Sequence, residues 1–209
     1  DEDLASLHES GFPMVLVHRT PPPSVPIPSV TVENIEVTQR LIEHLIQAHG
    51  KKRILFLRGP VHQEDSLRRE TGYRAALKAN GIPFDEDLLI DGDFERGIAY
   101  QAMNKILGNG KHIAFDAVFT GDDDAAIGVL KSLHEHSIRV PDDVSVIGFD
   151  DLGFASFLNP PLTTVRAPTE RVGEIATERL FDILDNHPSD DVLILPTEII
   201  YRRSCGCQY

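Results

Sequence analysis

Residues 117–128, Ala117-Val118-Phe119-Thr120-Gly121-Asp122-Asp123-Asp124-Ala125-Ala126-Ile127-Gly128, decide the fold class. Ala117-Val118-Phe119 is a short apolar run of the kind that forms a buried strand. A glycine turn follows, and then aspartates, which favour helix starts because a side-chain oxygen can accept from the first free backbone N–H groups. From Asp124 to Glu135 apolar residues recur at three- and four-residue spacing, the signature of an amphipathic helix. Strand, turn and helix follow one another within about twenty residues, which is half of a βαβ unit.

The same unit repeats along the chain. Met14-Val15-Leu16-Val17, Ile54-Leu55-Phe56-Leu57, Leu88-Leu89-Ile90 and Val144-Ser145-Val146-Ile147 read as further buried strands. Leu4 to Ser10, Glu36 to His49, Ser66 to Asn80 and Arg96 to Leu107 read as helices, with Gly50 and Gly81 placed as C-caps. Apolar strands alternating with helices predict an α/β fold whose parallel sheets are covered on both faces. Two proline-marked passages break the rhythm, Pro21 to Ser29 and Asn159 to Val165. Prolines lack a backbone donor and fix φ, so both read as extended connectors. A helix over 169–184 and a last strand-like stretch, Leu193 to Tyr201, follow. Two connectors suggest two lobes that exchange chain. The chain opens on one helix and one strand, so the first lobe reads as incomplete.

Composition sets the function classes. The 209 residues are 41% hydrophobic and 25% charged, as in an ordinary globular protein, with no apolar run long enough to span a bilayer. The acidic start, Asp1-Glu2-Asp3, is unlike a signal peptide and leans towards the cytoplasm. The formal net charge of -13, without a Lys/Arg cluster, excludes a nucleic-acid grip by these residues. Cys205 and Cys207 are the only cysteines and read as free thiols, because the tail around them offers no further zinc ligands. His134-Glu135-His136 is not a zinc-protease motif, and the other histidines scatter. There is no G-x-G-x-x-G, no G-x-S-x-G elbow, and the Gly92–Gly97 spacing lacks the Lys and Ser/Thr of a phosphate loop. Neither metal nor cofactor nor enzymatic activity is expected, and a binding module is the better class.

Ligands of open parallel sheets bind beyond the carboxyl ends of the strands, so the polar residues there are the candidates. Of Asp122, Asp123 and Asp124, one serves as a cap, and three exceed what capping needs. Asp150-Asp151 ends the strand at 144–149; loop solvation competes there with a carboxylate aimed at ligand hydroxyls or amines. Arg68 and Arg69 lie near a helix N-terminus, where the dipole disfavours cations, so one of them is expected to find a partner. Phe94, in a loop, reads as a core plug or as an aromatic face for a sugar ring or a base.

Several segments resemble LacI-type transcription regulators. Arg68-Arg69-Glu70-Thr71-Gly72-Tyr73-Arg74-Ala75-Ala76-Leu77 resembles their R-x-x-G-Y-x-x-A-L helix. Residues 118–128 resemble V-F-x-x-N-D-x-x-A-x-G, and residues 139–151 resemble R-V-P-x-D-V-S-V-I-G-F-D-D. Pro161 to Val165 and Arg202-Arg203-Ser204 fit as well, so the likeness runs the length of the chain.

The resemblance implies a two-lobed periplasmic-binding-protein-like fold. Residues 1–30 and 166–190 would form a partial N-terminal lobe, and 31–165 with 191–209 the C-terminal lobe. It implies a DNA-binding headpiece outside this chain, a homodimer, no membrane, and lobes that close on a ligand. It assigns ligand contacts to Arg69, Asp122 and Asp150, with an aromatic at Phe94 and, in some members, Gln63 and Asp65. Asp122 stands where the family often has Asn. Several carboxylates against one arginine disfavour a buried anion, so a neutral polar ligand, a sugar, is expected, with a cationic one next. The S-C-G-C tail at 204–207 resembles LacI-like sensors fused to other outputs, such as a diguanylate cyclase or kinase. A free sugar-binding protein is a third reading.

Overall fold

The computed structural model describes residues 2–108, 115–187 and 191–208. Positions 1, 190 and 209, which end three of the expected lobe segments, lie outside the described residues. The chain forms two units, each built from two stretches of sequence: Asp1–Glu33 with Pro168–Thr197, and Asn34–Ala167 with Glu198–Tyr209.

The first unit holds α1 (Glu2–Glu9), β1 (Leu16–Val17), β2 (Ser29–Val32), α6 (Thr169–Leu184) and β8 (Val192–Leu195). Its sheet is parallel in the order β1-β2-β8. Met14 to Val17 was expected as one strand, and only Leu16–Val17 pair. The central strand β2 follows the proline connector and is buried along its whole length, a strand that the connector's prolines mask in the sequence.

The second unit holds a four-stranded parallel sheet in the order β4-β3-β5-β6. The strands are β3 (Ile54–Arg58), β4 (Leu89–Asp91), β5 (Ala117–Thr120) and β6 (Ser145–Ile147). Alternate residues serve opposite faces, as the two-residue period of a strand requires. Ile54, Phe56, Ala117, Phe119 and Ile147 pack in one core with Leu41, Leu45 and Tyr73 of α2 (Ile35–His49) and α3 (Glu64–Ala79). Leu55, Leu57, Val118 and Val146 pack in the other with Met103, Val129 and Leu133 of α4 (Arg96–Leu107) and α5 (Asp123–Glu135). Burial on both faces is why β3, β5 and β6 are apolar but for one terminal residue each.

The expected strand Leu193 to Tyr201 is two strands with different partners. β8 pairs parallel with β2 of the first unit. β9 (Glu198–Ile200) pairs antiparallel with β7 (Thr164–Arg166), at the end of the second proline connector, inside the second unit. The last exchange of chain therefore falls at 197/198, not at 190/191, because β8's ladder ties it to β2. The other two exchanges fall at 33/34 and 167/168.

Candidate ligand-binding site

The carboxyl ends of β3, β5 and β6 carry the polar cluster, and Arg69 is its hub. Arg69 lies on the second turn of α3 and is 4% exposed. Its Nε donates to Asn34 Oδ1 at 2.8 Å and its Nη1 to the Gly121 carbonyl. Its Nη2 lies 3.6 Å from Asp150 Oδ1. The guanidinium also stacks on Phe149, with Cζ 3.6 Å from the ring centroid, and stands 5.4 Å from that of Phe94. A buried arginine near a helix N-terminus is held by acceptors on three sides, which is the partner that its position demanded.

Phe94 is half-buried, at a φ of +58° that a bulky side chain rarely adopts. Two glycines seat its ring. A Cβ on Gly59, just past β3, would lie 2.1 Å from Phe94 Cζ, and one on Gly121, just past β5, 2.5 Å from Cε1. Both positions must lack a side chain for the ring to lie across the ends of the two strands.

The three aspartates divide their duties. Asp122, φ -151°, is the N-cap of α5: its Oδ1 accepts from Ala125 N at 2.9 Å. The cap expected of one of the three aspartates thus falls to Asp122, the residue that the resemblance also names as a ligand contact. Burial raises its carboxyl to about 7, the nearby Asp150 and Asp124 adding to the rise against the Ala125 hydrogen bond and Arg69. Among the described residues no hydrogen bond engages its Oδ2. Asp123 is fully buried and accepts from Thr164 Oγ1 at 2.6 Å and from Leu152 N at 2.8 Å. Burial raises it to about 7 as well. Asp124 points outward and pairs with Arg96, which holds its carboxyl below the usual range. Successive helical residues point about 100° apart, so three adjacent carboxylates cannot share one ligand.

Asp150 and Asp151 also separate. Asp150 donates its backbone N–H to Val165 O at 2.7 Å and turns its carboxylate towards Arg69. Asp151 is a bracing group, accepting from Arg166 at 2.8 Å and Arg202 at 2.7 Å. Asp65 reaches the cluster through one intermediary: its Oδ1 accepts from Asn34 Nδ2 at 2.9 Å. Gln63 is exposed at the N-cap of α3, and its recorded hydrogen bonds are main-chain ones to Pro60 and Leu67. Arg69, Asp122, Asp150 and Phe94 come together, Asp65 joins them at one remove, and Gln63 does not.

Two members of the cluster escape the sequence reading. Asn34 is 2% exposed at the start of α2 and makes no cap bond there, its side chain instead bridging Asp65 and Arg69. An Asn before a helix reads as a cap, so the signal pointed to the wrong duty. Phe149 reads as the end of a buried strand; nothing local marks its ring as the platform for Arg69.

Parallel strands with polar side chains collected at their carboxyl edge, in a chain of two α/β units that exchange segments, are the architecture of two-lobed folds in which small molecules gather at strand ends. Residues 42–205 match the family described as "periplasmic binding protein-like domain". The chain belongs to this family, as an effector-binding domain of the LacI type. It is 31% identical over 204 residues to "Probable HTH-type transcriptional repressor ExuR" of Bacillus subtilis, covering 95% of this chain and 59% of that protein. It is 38% identical over 143 residues to the "Ribose operon repressor" of Escherichia coli, covering 68% of this chain and 41% of that one. The solved "transcriptional regulator CelR-cellobiose complex" superposes with a TM-score of 0.86 at 34% identity, over 95% of this chain and 60% of that chain. The chain spans about half the length of the curated relatives it matches. Among the described residues no helix is long and apolar enough to cross a membrane.

Proposed function

We propose that the chain is the sensor part of a cytoplasmic, homodimeric LacI-type transcription regulator, binding a neutral polyhydroxylated ligand, a sugar, without turning it over. DNA contact belongs to a headpiece outside these residues, since a net charge of -13 opposes phosphate binding here. The observation that carries the ligand class is the state of Arg69. Its fork is already committed to Asn34, Gly121 and Asp150, so it orders the site and is not held ready for an anion. Around it stand carboxylates that accept from hydroxyls, and Asp122, with its pKa near 7, can also donate. A sugar hydroxyl both donates and accepts, and a sugar's apolar face suits the Phe94 ring. That a ribose repressor and a cellobiose complex lie among the relatives supports the same class.

A thermal-shift screen of this chain against neutral sugars, sugar phosphates and polyamines tests the proposal. A binder present at a hundred times its Kd stabilises the folded state by about 2.7 kcal/mol, which a melting curve resolves. We expect a neutral sugar to raise Tm and Asp122→Asn to weaken it about tenfold, the loss of one charge-assisted hydrogen bond. Tight binding of a phosphorylated sugar, at an affinity indifferent to Asp122→Asn, would refute the neutral-polyol reading.

A further inference from the structure

The tail cysteines do not stand alone in the fold. α2 ends on His49 and carries His44 one and a half turns earlier. The tail folds back beside that end, inside the same unit. His44 Nε2 lies 3.1 Å from His49 Nε2, 3.4 Å from Cys207 Sγ and 3.9 Å from Cys205 Sγ. Cys207 Sγ lies 3.6 Å from His49 Nε2, and all four ligand atoms lie within 4.8 Å of one another. With Zn–S near 2.3 Å and Zn–N near 2.05 Å, a regular tetrahedron has edges of about 3.3 Å N···N, about 3.6 Å N···S and about 3.8 Å S···S. Four of the six edges fall within about half an ångström of that figure, and the two from Cys205 to His49 and to Cys207 are at most 4.8 Å.

We propose that His44, His49, Cys205 and Cys207 form a tetrahedral Cys2His2 zinc site that staples the end of α2 to the C-terminal tail. The surroundings are built for it. Gly206, between the two cysteines, has a φ of +112°, which turns the chain so that both sulfurs face one point. A Cβ there would also lie 3.0 Å from His49 Nδ1, so the turn and the ring's approach both call for glycine. The tail is pinned on either side of Cys205: Ser204 Oγ donates to Val146 O at 2.6 Å, and Ser145 Oγ donates to the Cys205 carbonyl at 2.9 Å. Thr163 Oγ1 stands 3.1 Å from Cys205 Sγ, the place of an outer partner for a thiolate.

The donor chemistry points to the metal. Two thiolates and two imidazoles in a tetrahedron suit zinc, and the fully protein-made set is that of a structural site without an open position. Burial lowers the pKa of both histidines, with His49 adding to the fall at His44 and Lys51 at His49; a neutral ring with its proton on Nδ1 presents Nε2 to a metal. The Cys207 thiol is pushed up to about 11 by burial and by the neighbouring Cys205. On binding, both thiols give their protons to solvent and two S–Zn bonds form, so uptake is tighter at higher pH. The site is a local staple, closing a loop between residues 163 apart in the chain.

The test uses the whole chain, stripped with EDTA under reductant and titrated with zinc and, as a spectroscopic probe, with cobalt(II). We expect one metal per chain, thiolate-to-cobalt charge transfer with the intense visible bands of tetrahedral Co(II), and displacement of cobalt by zinc. At free zinc a hundredfold above its Kd, Tm should rise by roughly 5–10 °C. Cys207→Ser and His49→Ala alter half-buried positions that the stripped fold tolerates, as circular dichroism would check. Each should lose at least the about 10–100-fold that removal of an outer partner costs, along with the zinc-dependent rise in Tm. Stoichiometric zinc bound equally well by either variant, cobalt spectra without a thiolate band, or no binding by the reduced chain would each overturn the proposal.

Discussion

Arg69→Met should cost the second unit about 3–9 kcal/mol of stability, several times what an ordinary surface substitution costs. Methionine keeps the aliphatic stem and the helix propensity, so the loss isolates the guanidinium. Two acceptors in a buried setting, Asn34 Oδ1 and the Gly121 carbonyl, lose their donor, at about 1–3 kcal/mol each. The stacked contact with Phe149, 3.6 Å from cation to ring centroid and shielded from water, adds about 1–2 kcal/mol. The ion pair with Asp150 adds under about 1 kcal/mol, because the pair is 3.6 Å apart and Asp150's side chain is 29% exposed. Lysine is not a substitute, since one ammonium cannot reach the three directions that the guanidinium fork serves. Urea unfolding followed by circular dichroism measures the loss. A double-mutant cycle with Asn34→Leu separates the hydrogen bond from the rest, and a coupling of about 1–3 kcal/mol is expected. A loss below about 1 kcal/mol, or additive single effects, would show that Arg69 is not the hub the geometry makes it.

Two further outcomes follow from the same packing and charge arguments. A Cβ at residue 128 would lie 2.1 Å from the Arg96 carbonyl oxygen, where α4 and α5 pack. Alanine gains about 1 kcal/mol in helix propensity, but overpacking against backbone costs about 1–3 kcal/mol. Gly128→Ala should therefore lower stability by up to about 2 kcal/mol in urea unfolding, and a stabilised variant would contradict that packing. For pH, Asp123 keeps its proton up to about 7 when folded and gives it up near 3.8 when unfolded. Its contribution is full below pH 3.8 and is lost as pH rises through 7. The stability gap between wild type and Asp123→Asn should move in the variant's favour by about 3 kcal/mol from pH 4.5 to pH 8. A gap that does not change with pH would mean that Asp123 ionises without penalty.

The sequence makes β3, β5, β6 and their helices legible because each strand is apolar but for one terminal residue and is bounded by a turn. That pattern has one physical cause, burial on both faces. The gathering of Arg69, Asp122, Asp150 and Phe94 was legible to the same extent, since they follow strand ends or open a helix, where open α/β sheets gather ligands. What escaped depends on contacts distant in the chain. Leu193 to Tyr201 reads as one strand, and only the partners of β8 and β9 divide it. Asn34 reads as a cap, and only Arg69, 35 residues on, gives its amide another duty. His44 and His49 read as scattered histidines because the tail that meets them lies more than 150 residues further along.

The backbone at the site carries the same message as its side chains. Asp93, Phe94, Asp150 and Asp151 all have φ between +51° and +105°, and all four follow strand ends at the carboxyl edge of one sheet. Each such residue costs on the order of 1–3 kcal/mol unless its surroundings fix it. The surroundings do so by specific means: the two glycines seat the Phe94 ring, Asp151 is braced by Arg166 and Arg202, and Asp150 is tied by its N–H to Val165. The strain is thus concentrated where the candidate contacts lie and is opposed by bonds and packing that no ligand needs to supply. A ring and a carboxylate already held in place lose little freedom on binding, so each polar contact with a small ligand counts more fully towards affinity. On that argument Gly59 and Gly121, which have no side chain to offer a ligand, bear on the proposed recognition as the carboxylates do, because they fix where the Phe94 ring can lie.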